Sequence, residues 1–138
     1  MDKSDNLFKP RFTLKDVRIT EKKRVYKGFF AIDQYVLSYP RFDGGEQKPL
    51  RREIFERDHD AVAILPYDPQ SDEVLLIEQF RPGALSDPDS PWLIEVVAGM
   101  IDDKETPEEA ALRELYEEAG LKIEKKDLNR ICAQYPSP

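Results

Sequence analysis

The sequence predicts an α/β fold, in which a region of β-strands precedes one well-bounded α-helix. Several segments before residue 100 are rich in β-branched and aromatic residues and alternate with turn signals, which is typical of strands. Residues 107–119 combine helical spacing of apolar residues with a clear start and stop. Strands followed by a helix and then by further strand-like sequence indicate a mixed sheet covered by helix.

The first strands are expected before residue 57. Residues 17–19 and 25–37 are rich in β-branched and aromatic side chains, and we expect each run to form a strand. The run 25–37 is apolar on both of its alternating faces, so we expect it to have two partners. A turn at residues 43–46 leads into a returning strand over residues 50–56. Together these strands predict an antiparallel β region over residues 1–56.

Further strands are predicted between residues 61 and 97. Residues 61–65 and 74–80 are apolar runs on either side of a segment rich in Pro and Asp, which predicts a β-hairpin with a long loop. A loop of Pro, Asp and Ser residues separates this hairpin from another strand at residues 92–97. We expect Trp92 and Cys132 to be buried and His59 to lie in a surface loop.

The boundaries of the helix are marked by four residues. Thr106 is suited to the N-cap, Pro107 to the first helical position, and Glu109 completes a Thr-x-x-Glu capping box. Gly120 supplies the left-handed residue that commonly ends a helix. The helix is therefore predicted over residues 107–119.

The two faces of this helix differ in character. At about 100° per residue, four apolar residues form one stripe, namely Ala111, Leu112, Leu115 and Ala119. Three glutamates share an arc roughly opposite, namely Glu114, Glu117 and Glu118. We expect the apolar face to pack against the sheet and the other face to present a carboxylate cluster.

Composition narrows the classes of partner and cofactor. The chain has 28 Asp and Glu against 21 Lys and Arg, which gives a formal net charge of -7. We expect no nucleic-acid partner, because binding to nucleic acid requires a basic face. The longest apolar stretch, residues 92–101, is too short to span a membrane, which takes about 20 residues. The sequence also does not begin with a secretory signal, so we expect a cytoplasmic protein. One cysteine and one histidine exclude a Cys/His zinc cluster, so any metal must be bound by oxygen.

The carboxylate cluster has two interpretations. Glu114, Glu117 and Glu118 stand at i, i+3 and i+4, where each like-charge pair costs about 0.2–0.5 kcal/mol in an isolated helix. A hard divalent cation such as Mg²⁺ relieves this repulsion, so the spacing suits a metal site. The alternative is a solvated acidic face on which Arg113 pairs with Glu109 and Glu117, and helix geometry alone favours it.

The longer stretch 99–121 favours the metal site. It reads G-x5-E-x7-R-E-U-x-E-E-x-G-U, with U an aliphatic residue, and this pattern resembles the Nudix box at all nine defined positions. The resemblance implies a Mg²⁺ cofactor, with Mn²⁺ as a substitute, bound by Glu114, Glu118 and the carbonyl of Ala98. It further implies three more residues of the catalytic machinery: Glu117 beside the metal ligands, Arg113 to orient the glutamates, and Glu105 to brace the loop.

Segments before the box resemble the bacterial ADP-ribose pyrophosphatases of the Nudix family. They lie at residues 26–30, 50–57, 76–81 and 92–99. The resemblance implies a Nudix α/β/α sandwich over residues 57–138, hydrolysis of ADP-ribose to AMP and ribose 5-phosphate, and a homodimer that exchanges N-terminal strands. It implies that four residues bind substrate: Arg52, Glu53 and Arg81 by polar contacts, and Phe29 by stacking on adenine.

Several alternatives stay open on the sequence alone. Arg52 and Glu53 also suit an exposed cross-strand pair, and Phe29 also suits the core. The substrate could be another nucleotide sugar such as GDP-mannose. Outside the enzyme class, the chain could be a non-catalytic Nudix module that binds nucleotide or protein, or an acidic scaffold without a ligand.

The end of the chain departs from the family pattern. Only 18 residues follow Gly120, whereas the family continues with further strands, a second helix and a loop that carries another carboxylate. Pro136 fits a proline that the subgroup has some fifteen residues past the box. We therefore expect a fragment or a natural truncation that binds metal but turns substrate over poorly or not at all, because the candidate catalytic base would lie beyond residue 138.

Overall fold

The computed structural model describes residues 9–134, which form two compact units divided between Asp58 and His59. Pro136 lies outside the described residues. No helix among residues 9–134 is long and apolar enough to cross a membrane.

The first unit is a three-stranded antiparallel sheet. Its strands are β1 (Arg18–Lys27), β2 (Ala31–Ser38) and β3 (Leu50–Glu56), with β2 in the middle. A short 3₁₀ helix, Leu14–Asp16, precedes β1. The returning strand over residues 50–56 is confirmed.

The expectation of one strand over residues 25–37 is wrong. These residues form a turn and parts of two strands, because the backbone N–H of Gly28 donates to the carbonyl of Phe30 at 2.8 Å and reverses the chain. A Cβ at position 28 would overlap the end of the exposed Tyr26 side chain, which would have to move aside. The strand β1 extends over charged residues that the sequence pattern did not mark, and all ten of its residues are exposed.

A buried carboxylate fixes the register of β1 against β2. Asp33 is 2% exposed and lies directly opposite Arg24. The Arg24 guanidinium donates to both Asp33 oxygens, at 2.6 and 3.2 Å, and Lys22 lies 3.3 Å away. These hydrogen bonds, that of Arg24 first, lower the pKa of Asp33 from its ordinary value of 3.8. A shift of one residue in either direction would break the paired hydrogen bonds from Arg24 to this buried carboxylate, which opposes slippage.

The second unit contains three strand pairs and one α-helix. The pairs are β4 (Ala61–Ile64) with β9 (Val97–Met100), β5 (Tyr67–Asp68) with β6 (Glu73–Val74), and β7 (Ile77–Phe80) with β8 (Trp92–Glu95). Every described pair is antiparallel, so the parallel pairing of a mixed sheet is not found within residues 9–134. The helix α1 (Pro107–Ala119) packs against β9 and β4.

One prediction of strand pairing in this unit is wrong, and so is one prediction of a strand's extent. The runs 61–65 and 74–80 do not pair with each other, since β4 pairs with β9 and β7 pairs with β8. Residues 92–97 do not form one strand, because the chain leaves one pair after Glu95 and enters the next at Val97. Apolar runs mark strands, but they do not indicate which distant strand is the partner.

The helix prediction is confirmed at both ends. The Thr106 hydroxyl accepts from the backbone N–H of Glu109 at 3.3 Å, and the Glu109 carboxylate accepts from the backbone N–H of Thr106 at 2.8 Å. Gly120 has φ of 68°, the left-handed conformation of a helix end. The buried helix residues are Ala110, Ala111 and Leu115, and Val97 of β9 is also buried. The apolar stripe is therefore rotated slightly toward Ala110, which the sequence analysis did not include.

Two side chains that were expected to be buried are exposed. Trp92 is 55% exposed and packs on Phe80, with ring centroids 5.2 Å apart. Cys132 is also exposed, so the prediction that both residues are buried is wrong. Phe29 is 78% exposed, which removes the alternative that it belongs to the core. His59 is exposed, and its surface position is confirmed.

Candidate functional site

The three glutamates of α1 have different surroundings. The side chain of Glu114 is only 12% exposed, whereas that of Glu117 is 55% exposed. Glu118 is half-buried and contacts β9 and β7. The helix therefore turns Glu114 and Glu118 toward the strands and Glu117 toward solvent, a distinction that helical spacing alone did not make.

The space for Glu114 exists because residue 99 is glycine. A Cβ built on Gly99 would overlap the carboxylate of Glu114. Glycine thus lets β9 approach α1 closely enough for this carboxylate to lie directly over the strand backbone. The first residue of the Nudix-box pattern therefore has a steric role in the site.

Arg113 lies among the acidic side chains and compensates their charge. Its guanidinium donates to Glu105 at 2.9 and 3.0 Å, to Glu114 at 2.7 Å and to Glu117 at 3.2 Å. It also donates to the carbonyl of Met100 at 2.9 Å, which ties the helix to the end of β9. The expected pair with Glu109 is wrong, because Glu109 forms the capping box instead.

The same hydrogen bonds shift the ionisation of the partners. Hydrogen bonds from Arg113 and then from the backbone of Asp102 lower the pKa of Glu105 from its ordinary 4.5. Hydrogen bonds to Glu105 and then Glu114 raise the pKa of Arg113. Both groups are therefore fully charged at neutral pH, and Glu105 braces the loop before the helix through the N–H of Asp102 at 3.1 Å.

Glu118 is held from two different strands. Its Oε2 accepts from the backbone N–H of Ala98 at 3.2 Å, and its Oε1 accepts from the side-chain amide of Gln79 at 2.9 Å. The sequence analysis did not single out Gln79. The sequence 77–80 does not alternate between apolar and polar residues, and only the structure shows that Gln79 shares the half-buried face of β7 with Ile77. A polar residue at an inward strand position indicates a specific partner.

Arg81 follows β7 directly and forms an ion pair across to β8. Its Nε donates to both oxygens of Glu95, at 2.9 and 3.1 Å. This hydrogen bonding, with a smaller contribution from the charge of Glu118, raises the pKa of Arg81. Arg81 has an extended backbone and stands two residues after Gln79, so the two side chains leave the chain on the same side.

The remaining candidates belong to the first unit. Phe29 lies in the turn between β1 and β2 and contacts Phe30 edge-on, with ring centroids 4.8 Å apart. Arg52 and Glu53 are exposed on β3 and do not pair with each other. Glu53 instead accepts a hydrogen bond from Gln34 of β2 at 3.4 Å.

The donor set of the second unit fits a hard divalent cation that has further ligands from elsewhere. Glu114, Glu118 and the carbonyl of Ala98 supply only oxygen, and Gly99 leaves room for the carboxylate over the strand. Within residues 9–134, no three His, Cys, Asp or Glu side chains converge closely enough to hold a metal ion by themselves. Mg²⁺ usually takes one or two protein carboxylates and completes its shell with water and substrate phosphate, so these residues suit it.

Residues 57–137 match the family model described as the NUDIX domain, which is more than half of the chain. The chain belongs to the Nudix family. The α/β Nudix fold predicted from the sequence is thereby confirmed.

Curated relatives of this Nudix chain carry two different names. It is 47% identical over 125 residues to the ADP-ribose pyrophosphatase of Escherichia coli (strain K12), and 38% identical over 130 residues to that of Haemophilus influenzae. It is 32% identical over 123 residues to the GDP-mannose pyrophosphatase of Pectobacterium atrosepticum. These matches cover 91%, 92% and 88% of the chain and 59%, 58% and 61% of the relatives. The Nudix chain thus spans about three-fifths of the length of the relatives it matches.

A solved structure supports the same fold. The crystal structure of an ADP compounds hydrolase superposes with a TM-score of 0.52 at 26% identity. The match covers 79% of the Nudix chain and 54% of the solved chain.

We expect Gly99→Ala to displace the Glu114 carboxylate without unfolding the protein. The overlapping atoms are the end of a flexible side chain, so Glu114 can move aside at small cost. Its loss from the site should weaken Mn²⁺ binding about tenfold or more, measured by electron paramagnetic resonance. Gly83→Ala is the matched control, because a Cβ there meets nothing within 4 Å and should leave the affinity unchanged. Unchanged affinity in Gly99→Ala would show that Glu114 is not needed for binding.

The pair of Glu105 and Arg113 predicts a loss of stability in acid. Because the folded-state pKa of Glu105 is below 4.5, its contribution to stability is present above that pH and is lost as pH falls through the folded pKa. Urea unfolding from neutral pH downward should therefore show a steeper decline below pH 4.5 in the wild type than in Glu105→Gln. Equal slopes in the two proteins would contradict this assignment.

Proposed function

We propose that this chain carries the metal-binding and phosphate-binding residues of a Mg²⁺-dependent ADP-ribose pyrophosphatase, which forms AMP and ribose 5-phosphate. The observation that carries the proposal is the placement of Glu114 and Glu118 against the backbone of Ala98 and Gly99 in a Nudix domain. The choice of ADP-ribose rests on the relatives, since those named ADP-ribose pyrophosphatase are 38–47% identical and that named GDP-mannose pyrophosphatase is 32% identical.

In this proposal the cation is bound, and its position is fixed, by Glu114, Glu118 and the Ala98 carbonyl. A bound Mg²⁺ polarises phosphoryl oxygens and lowers the pKa of water. Because the chain carries a net charge of -7, a doubly anionic pyrophosphate would be repelled from this acidic face without such a cation.

Arg113 and Glu105 act in the proposal by fixing geometry. Arg113 donates to Glu114 and Glu117 and is itself held by Glu105, so the glutamates keep one arrangement despite their like charges. Preorganised charge of this kind costs no rearrangement during the reaction. Glu117 is the most exposed of the three and can approach the substrate from the solvent side.

Four residues are proposed to bind the rest of the substrate. Arg81 would bind phosphate, since a guanidinium forms bidentate hydrogen bonds to its oxygens, and Arg52 and Glu53 would contribute polar contacts from β3. Phe29 would stack on adenine, and its largely exposed ring supports that role. Arg81 already holds the Glu95 carboxylate in the same bidentate manner, through its Nε and Nη2.

We also propose a homodimer formed through the N-terminal strands. The edge strand β1 is ten residues long and exposed throughout, and it presents Ile19, Val25 and Tyr26 at 44–60% exposure. A long exposed edge with apolar side chains is a template for pairing with another chain.

The test of the function measures binding before hydrolysis, because binding is detected at any rate of turnover. Calorimetric titration in Mg²⁺ should show tighter binding of ADP-ribose than of GDP-mannose, and chromatography should identify AMP as the product. Glu114→Gln and Glu118→Gln should each weaken metal binding about tenfold or more. Glu108→Gln, on the same helix, is the control. Preference for GDP-mannose would support the alternative substrate, and binding without any metal dependence would contradict the proposal.

The dimer is tested by light scattering at micromolar concentration. The wild type should be a dimer, and Val25→Lys should shift it toward monomer, because a charge then replaces an apolar side chain in the contact. Lys23→Gln, on the same exposed strand, should remain dimeric. A monomeric wild type with β1 intact would exclude this interface.

A further inference from the structure

We propose that Gln79 is a positioning residue, which holds the Glu118 carboxylate in the orientation that binds the divalent cation. This inference rests on the proposed function, since it concerns the same metal site. It assigns a role to a residue outside the box pattern, on a strand 39 residues before the helix glutamate.

The carboxylate of Glu118 has one donor on each oxygen. The amide of Gln79 on β7 donates to Oε1 at 2.9 Å, and the N–H of Ala98 on β9 donates to Oε2 at 3.2 Å. Two donors from two different strands fix both the position and the rotation of the carboxylate plane. Each oxygen still keeps a further lone pair, so the group remains able to bind a cation.

The second observation concerns the oxygen atom of the Gln79 amide. Its Oε1 is buried and accepts no hydrogen bond from any residue within 9–134. The amide must present its nitrogen to Glu118, because two oxygens facing each other would repel. The amide therefore keeps this orientation although its buried oxygen has no partner among residues 9–134, which indicates that the hydrogen bond to Glu118 determines how the amide is placed.

The strand β7 gives Gln79 a second connection to the site. Arg81 lies two residues further along on the same face and pairs with Glu95 of β8. One short strand and the residue that follows it therefore carry both the amide that contacts Glu118 and the guanidinium proposed to bind phosphate. Such outer contacts orient the ligand, and their removal typically weakens metal binding.

The experiment measures Mn²⁺ affinity of the 138-residue protein by electron paramagnetic resonance. Gln79→Met keeps the length of the side chain and removes the donor, and we expect Mn²⁺ to bind about 10- to 100-fold more weakly. Gln70→Met, in an exposed loop of the same unit, is the matched control and should bind as the wild type does. Thermal unfolding of each variant verifies that the fold is kept. If Gln79→Met does not fold, Gln79→Glu, which has the same shape and repels Glu118, takes its place.

A double-mutant cycle separates positioning from packing. If Gln79 acts through Glu118, then adding Gln79→Met to Glu118→Gln should cause little further loss of affinity, whereas independent effects would add. Additive losses, or unchanged affinity in Gln79→Met, would overturn the role of Gln79 alone. A wild type that binds no Mn²⁺ would instead overturn the proposed function.

Discussion

The ion-pair network of Arg113 is the interaction on which the rest of the second unit depends. Three glutamates lie close together on this helix and repel one another, and the helix also has to pack on the strands. Arg113 resolves this conflict by bonding Glu105, Glu114 and Glu117 while it also reaches the carbonyl of Met100. One cation therefore compensates the charge and attaches the helix to β9.

The residues that pack α1 against β9 lie directly beside the residues of the candidate metal site. Ala110, Ala111 and Leu115 bury one side of the helix, and on an adjoining side the absence of a side chain at Gly99 admits the Glu114 carboxylate. The strand that receives the helix thus also borders the site, with Ala98 beside Glu118. A change in how α1 packs on β9 would move the carboxylates by the same amount.

The parts of the fold that the sequence predicted are those with local signals. The helix ends are defined by contacts within four residues, and Thr106 and Gly120 predicted them correctly. Strand pairing depends on distant partners, so the pairing of β4 with β9 was missed, as was the reversal at Gly28. In the site, the box pattern indicated the glutamates, whereas Gln79 was missed because its partner is 39 residues away.

The segment of chain from β8 to β9 takes part in both the ion pair with Arg81 and the hydrogen bond to Glu118. Glu95, which pairs with Arg81, and Ala98, which contacts Glu118, are three residues apart on one continuous segment. In the proposed function, a phosphate that draws Arg81 away from Glu95 would act on the same backbone that contacts the Glu118 carboxylate. We expect cooperativity between the anion and the cation, and by thermodynamic linkage each should change the affinity of the other by the same factor.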